Sequence, residues 1–355
     1  MKKPKDLFRL ISILGVYITF HTGLFAQDIH FSQLAMTPIL NNPGNTGVFN
    51  GNHRVLLNYK NQWASFTEPY RTYALSYDSG ILKRKITKGY LGVGFYAFSD
   101  KAGDSEYGTT QLMPSVSGVV PITNNQVISL GLQGGFTQRS ISNQNLKYGN
   151  QFNGEFYDPS LPTGESFNFN NISYVDLNAG ILWNYYTKAS TLSSQNDAAF
   201  HFGISVAHLN KPKRVITNLS DIDELYAKMT IHGGGFMGFN NRRTGIHPQF
   251  MLNKQGPYFE IIAGAMLIFL VHENSKYTGF IKELEIAAGG YLRGGDAFIP
   301  TIQLNMANYS IGINYDINIS GLRGASAGKG GIEISLRYVN PNPFRKSVLG
   351  NNPLL

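Results

Sequence analysis

The chain has 355 residues, of which 15% are charged and 13% aromatic, with 39 glycines, no cysteine and a formal charge of +8. A soluble domain carries about 25% charged residues, so the composition argues against an ordinary solvated surface, and the lack of cysteine excludes a disulfide framework, a thiolate metal site and a thiol nucleophile. Beyond residue 30 the longest apolar run, residues 261–271, holds eleven residues, well short of the ~18 that a spanning helix needs; a helical membrane protein is excluded as well.

At the N-terminus, Lys2, Lys3, Lys5 and Arg9 precede an apolar core over residues 10–20, and Ala26 stands before Gln27. This is the pattern of an export signal, residues 1–26, cleaved after Ala26. Its removal takes four basic residues and Asp6, bringing the formal charge from +8 to +5, too mild a residue of charge to invoke nucleic acid as a partner. Residues 27–53 follow as a separate segment. Residues 28–35 allow a short helical turn, which Pro38, Asn41, Asn42, Pro43, Gly44 and Gly47 then interrupt. Two readings of this segment stand: a plug within a barrel, or an ordered periplasmic leader.

The next strand-like stretch, residues 54–61, alternates Val55, Leu57 and Tyr59 against Arg54, Leu56, Asn58 and Lys60. The same period of two recurs over residues 71–78, 90–99, 110–120, 127–139, 173–186, 198–208, 228–239, 245–253, 257–270, 283–293, 298–306, 309–319 and 332–339. Residues 309–319 carry it most cleanly: Tyr309, Ile311, Ile313, Tyr315, Ile317 and Ile319 fall on one face, Ser310, Gly312, Asn314, Asp316 and Asn318 on the other. Such a strand rises about 36 Å and, tilted by about 45°, covers the ~25 Å apolar band of an outer-membrane barrel. A soluble sandwich also alternates, but its strands average about five or six residues and place Lys and Glu outside. About fourteen strands is an even number, as bacterial single-chain barrels require. The expected fold is therefore all-β, a closed antiparallel transmembrane outer-membrane β-barrel over residues 54–339 with a tail over 340–355. If the first strand runs outward, the two longest connections, 140–172 and 209–227, lie outside and the short turns 121–126, 240–244 and 307–308 lie inside. Connections 79–89 and 271–282 are longer than a typical periplasmic turn.

Two stretches are specific beyond their periodicity. Asp28-Ile29-His30-Phe31-Ser32-Gln33 with Asn41-Asn42-Pro43-Gly44, and residues 54–63 ending in Asn58-Tyr59-Lys60-Asn61-Gln62-Trp63, resemble the opening signature of the PorP/SprF family of Bacteroidetes outer-membrane proteins, departing from it at Ile29, Gly44 and Lys60. The matching positions are Phe31, Ser32, Gln33, Asn42, Pro43, Asn58, Tyr59, Asn61, Gln62 and Trp63. The resemblance implies a non-enzymatic component of the type IX secretion system that docks, anchors or helps export cell-surface cargo such as gliding adhesins. Its surroundings would be secreted cargo, other secretion components and outer-membrane lipid. The alternative is a transport channel for small or hydrophobic solutes, porin-like or similar to the FadL group in its Asn-Pro-containing N-terminal segment.

Catalysis finds little support. The histidines are scattered singly with no His-x-x-x-His spacing, no cofactor motif is present, and Asp221, Asp223 and Glu224 are too few oxygen ligands for a calcium loop. The long connection after the fifth strand is unusual in carrying Phe152, Phe156, Tyr157, Phe167 and Phe169 among Asn and Gly. Aromatic anchors of this kind form the core of protein-binding patches, which makes the loop a candidate cargo-docking site. Folding of the same aromatics into the lumen to close the pore is the other reading.

Overall fold

Ribbons with one apolar and one polar side can sit in lipid only when every backbone group is paired and no edge is left, and closure achieves both. The structure, a computed structural model describing residues 28–64, 68–83, 88–142, 146–164, 171–187, 198–214, 223–239, 243–272, 283–321 and 323–340, shows that closure. Its strands are β1 (His53–Gln62), β2 (Tyr70–Ile81), β3 (Tyr90–Ala102), β4 (Tyr107–Thr123), β5 (Gln126–Ser140), β6 (Ile172–Tyr186), β7 (Ala198–Ala207), β8 (Lys228–Phe239), β9 (Thr244–Gln255), β10 (Tyr258–His272), β11 (Leu284–Arg293), β12 (Ala297–Met306), β13 (Tyr309–Asn318) and β14 (Lys329–Asn340). Each pairs antiparallel with its sequence neighbours, and β14 returns to pair with β1, making a closed barrel of 14 strands. Every strand expected from periodicity is present, most of them longer by one to three residues at an end. The described residues also include a two-residue ladder, Lys213–Arg214 with Asp223–Glu224, in the connection between β7 and β8.

Outward and inward faces separate as alternation requires. On β13, Ile311 and Ile313 are 42% and 49% exposed while Asn314 and Asp316 are each 2% exposed. Exposed Leu, Ile, Phe and Tyr recur on all sides of the wall, including Leu130, Leu177, Ile261 and Ile302, an apolar surface far larger than a soluble monomer shows. The connections 141–171 and 208–227 share one end of the barrel. The two-residue turns 124–125 and 307–308 lie at the other, and the length rule assigns the first end to the outside.

Residues 28–52 lie against the inner wall. They begin at the loop-bearing end, where Asp28 meets His208 and Gln255, and finish at the short-turn end, where the Asn52 amide donates to the Asn340 carbonyl. Their helical turns differ from expectation. Residues 28–33 form no helix, and short helical turns occupy Leu34–Met36, Pro38–Asn41 and Pro43–Asn45 instead. Pro38 and Pro43 open two of these turns, a position where the missing N–H costs nothing. Upstream, the amides of Ser32 and Gln33 are taken by a wall carboxylate and cannot serve a helix. Leu34 packs into an apolar sector of the lumen with Met251, Ile262, Met266, Ile268, Ala287, Tyr291, Ala297 and Ile299. This sector accounts for the long apolar run near residue 265: β10 meets lipid with one face and an apolar interior with the other.

The expected export signal (1–26), Phe167 and Phe169, Asp221, and the tail beyond residue 340 lie outside the described residues, as does the Asp223 side chain.

Candidate functional site

Four clusters tie residues 28–52 to the wall, and each uses a buried charge or amide that would be costly if left alone. At the seam between first and last strands, Lys60 on β1 stands opposite Glu333 on β14. The Glu333 carboxylate accepts the Ser32 amide at 2.9 Å and the Gln33 amide at 3.0 Å, while Lys60 Nζ donates to the His30 carbonyl at 2.9 Å. Ser32 Oγ donates to Asp316 at 3.1 Å and accepts from Arg293, which also pairs with Asp316 at 3.0 Å. Two buried cations, Lys60 and Arg293, thus face two buried carboxylates, Asp316 and Glu333, and Arg293 also pairs with the partly exposed Asp296 at 3.0 Å; pairing of this kind is what makes buried charge tolerable.

The second cluster holds the Asn-Pro turn. Asn42 Nδ2 donates to the Ile181 carbonyl at 2.9 Å, lies 3.1 Å from His232 Nε2, and its Oδ1 accepts the Gly44 amide at 2.7 Å. Pro43 lies so close to β5 that a Cβ on Gly131 would overlap its carbonyl, and one on Gly180 of β6 would overlap the Asn42 amide. Only glycine admits that approach. In the third cluster, Arg54 pairs with Asp78 through two bonds of 2.9 and 2.7 Å and donates to the Asn45 carbonyl, and Asp78 also accepts the Gly47 amide at 2.7 Å. Thr46 completes it through Ser115 and Ser117.

The fourth cluster sits at the loop-bearing end. His208 reaches Asp28 through Nε2 at 2.6 Å and Asp176 through Nδ1 at 2.8 Å. Burial pulls the imidazole toward neutrality, but the two carboxylates outweigh it and hold its pKa up at about 9. Burial would likewise raise the Asp28 carboxyl, yet His208 with Lys228 and Arg139 beyond it pulls the carboxyl well below the usual range. Above this cluster opens a vestibule of about 550 Å³, floored by Asp28, His30 and Asn41 and walled by aromatic and polar side chains of the strands.

Of the ten signature positions, Phe31, Ser32, Gln33, Asn42 and Pro43 are buried in these contacts. Phe31 packs with Ile39, Ala74, Tyr96 and Phe98. Asn58 faces inward and donates across the seam to Ser335 at 2.8 Å. Tyr59 faces outward, its ring 5.0 Å from that of Tyr73. Gln62 and Trp63 line the vestibule; Trp63 holds a left-handed backbone with φ of 59° and packs edge-on against Tyr70 at 4.9 Å. Asn61 is half-buried, and its Oδ1 has no hydrogen-bond partner among the described residues. The wall partners Arg54, Lys60, Asp78, Arg293, Glu333 and His208 were not singled out from sequence, although inward-facing charges on alternating strands were the available signal.

The described part of the aromatic loop does not enter the lumen. Residues 152–157 form a tight hairpin, bridged between Phe152 and Tyr157, with Asn153 Oδ1 accepting the amides of Glu155 and Phe156. Phe152 and Phe156 are 58% and 60% exposed, and neither lines the vestibule. Glu224 is exposed and pairs with Lys213 at 3.9 Å. Among the described residues no cluster of three or more His, Asp or Glu could hold a metal ion.

Lipid-facing wall, closed ladder and polar lumen occupied by the chain's own N-terminal segment together define an outer-membrane β-barrel. Residues 24–338 match the family described as type IX secretion system membrane protein PorP/SprF, and the chain belongs to that family. Comparison with curated protein sequences gives no match. Among solved structures the chain is similar to the toluene transporter TbuX of Ralstonia pickettii (10% identity, TM-score 0.45, 85% of this chain and 93% of that one). It is also similar to the CymD monoaromatic hydrocarbon channel (9%, 0.44, 90% and 96%) and to a Pseudomonas aeruginosa FadL homologue (11%, 0.43, 89% and 95%). At such identities the likeness is one of fold alone.

Proposed function

We propose that this barrel is a non-enzymatic docking component of type IX secretion, exported with cleavage of residues 1–26, which retains or passes cell-surface cargo at its outer rim beside other secretion components. The observation that carries this reading is the pairing of an immobilised lumen with a presented aromatic hairpin. Residues 28–52 are pinned to β1, β2, β4, β6, β7, β13 and β14 by buried and part-buried bonds, and Phe152 and Phe156 project from a turn already fixed by Asn153. Pre-ordered aromatic anchors lose little freedom on binding. The opposing reading, a channel, requires a passage past the segment; the space between segment and wall near Leu34 and His232 amounts to about 50 Å³, room for a water or two. Deleting residues 152–157 should leave a folded, heat-resistant barrel and abolish cargo retention at the surface. Unchanged cargo display in that strain overturns the docking role, and stepwise conductance of the purified barrel in a planar bilayer favours the channel.

A further inference from the structure

The two ends of the barrel differ in charge. At the short-turn end, the connections 82–89, 187–197, 240–243 and 273–283 hold nine Lys and Arg against three Asp and Glu, and the turns 124–125 and 307–308 hold neither. At the loop-bearing end the connections hold five basic residues against ten acidic. The exposed cations Arg71, Lys101, Lys254 and Lys329, which close strands there, do not turn that end basic. A chain with only 15% charged residues thus gathers its surplus of cations at one rim.

Two connections carry that surplus. Residues 82–89, between β2 and β3, hold four basic residues and no acidic one, and residues 240–243, between β8 and β9, hold two and none. Six strands of the fourteen separate them, which sets them on nearly opposite sides of the ring. Lys83 is spent inward, on the Gly51 carbonyl at 2.9 Å and over the Tyr90 ring. Lys88 and Arg243 stand two residues before β3 and one before β9; both are exposed, and neither makes an ion pair among the described residues. Aromatic rings fix the depth of this rim. On the lipid-facing side of the same end, Tyr185 lies 6.3 Å from both Trp183 and Phe200, and Tyr309 meets Tyr338 at 5.0 Å. Such belts sit in the headgroup layer, so cations at the strand ends beside them stand level with lipid phosphates.

We propose that these two basic turns bind the headgroups of anionic phospholipids in the periplasmic leaflet. Lipid surrounds the ring and reaches both turns, whereas one acidic protein would have to span the mouth of the barrel to meet both. A zwitterionic headgroup carries its own cation and gains little from a second. The site is independent of the docking reading, whose hairpin stands at the opposite end.

The test reconstitutes the purified full chain in phosphatidylcholine bilayers and compares spin-labelled phosphatidylglycerol with spin-labelled phosphatidylcholine by electron paramagnetic resonance, which reads the fraction of each held at the barrel wall. At low salt phosphatidylglycerol should associate about twofold or more tightly than phosphatidylcholine, as juxtamembrane cations imply. The ratio should fall toward one at about 1 M salt, where the screening length is about 3 Å. Lys88→Glu with Arg243→Glu should lower the low-salt ratio by about half or more while leaving phosphatidylcholine association and heat-shifted migration unchanged. The salt series on the parent protein decides the matter alone if the double variant does not fold. Equal association of the two lipids at low salt, a preference indifferent to salt, or one unchanged in a folded double variant overturns the proposal. Binding of soluble polyglutamate without any preference for phosphatidylglycerol also overturns it and assigns the rim to an acidic protein.

Discussion

Two sectors of the lumen solve the same problem by opposite means. Around β1, β2, β13 and β14, the inner wall is charged: Arg54, Lys60, Asp78 and Glu333 take hold of backbone amides and carbonyls of residues 30–47, and Asp316 accepts from the Ser32 hydroxyl. Along part of β9–β12 the inner wall carries an apolar patch beside polar residues such as Gln249, Arg293 and Gln303, and Leu34 enters its cluster of Met, Ile, Ala and Tyr side chains. The charged sector fixes where the segment sits, because each carboxylate matches particular N–H groups and a shift of one residue leaves them unsatisfied. The apolar sector fills volume and is indifferent to small shifts. Specificity and occupancy are thus supplied by different strands.

Removing Arg54 should break this arrangement most severely. Arg54→Ala leaves Asp78 buried and without its cation, and loss of one member of a buried pair costs about 3–5 kcal/mol. The urea midpoint of the barrel in liposomes should fall accordingly, and a midpoint within error of the parent would place Asp78 in contact with water. Glu333→Gln should act less strongly. The amide presents one acceptor where Ser32 and Gln33 need two, leaving a buried N–H unpaired at a cost of about 1–3 kcal/mol. Its signature is local: protease cleavage near residues 28–35 should accelerate more than global unfolding.

The strands were legible because lipid leaves the outer face no choice. Ile311, Ile313 and Tyr315 must be apolar, and the period of two that results survives in the sequence whatever the interior does. The inner face carries no such constraint. Asn314, Asp316 and Glu333 carry no local sign that they grip the N-terminal segment, and Ile262, Met266 and Ile268 read as one continuous greasy run with their outward neighbours. The signature residues pointed to the segment but not to its partners, since a hydrogen bond between residue 32 and residue 333 leaves no local pattern. Gly92, Gly131 and Gly180, small where a strand should carry bulk, are readable traces of a segment passing close by. The hairpin at residues 152–157 was visible as aromatics among Asn, but its outward direction depends on Asn153 capping two amides, which composition does not reveal.

The outer end of the segment sharpens the comparison through pH. His208 has its pKa raised to about 9 from 6.5, so its share of the clamp is complete below about 6.5 and is lost as pH rises through about 9. Asp28, with its carboxyl lowered from 3.8, contributes above about 4 and weakens only as pH falls toward its depressed value. The His208–Asp28 link is therefore intact between about pH 4 and pH 9. Amide exchange at residues 28–31, monitored by mass spectrometry, should quicken above pH 9 beyond its intrinsic rise, and His208→Gln should remove that excess. Residues 45–47 are held by Arg54, Asp78, Ser115 and Ser117 and not by His208, so their contacts should show no matching change.

The smallest effect belongs to the apolar sector. Ile262 is fully buried on the inner face of β10, and Ile262→Val deletes one methylene at a cost of about 0.5–1.5 kcal/mol. Because Leu34 and Met266 border the same cluster and methionine adapts readily to irregular space, the loss should fall at the lower end of that range. It should also leave protease sensitivity at residues 28–35 unchanged. If the valine variant instead loosens those residues as Glu333→Gln does, then apolar packing as well as hydrogen bonding sets the position of the segment, and the division of labour between the two sectors does not hold.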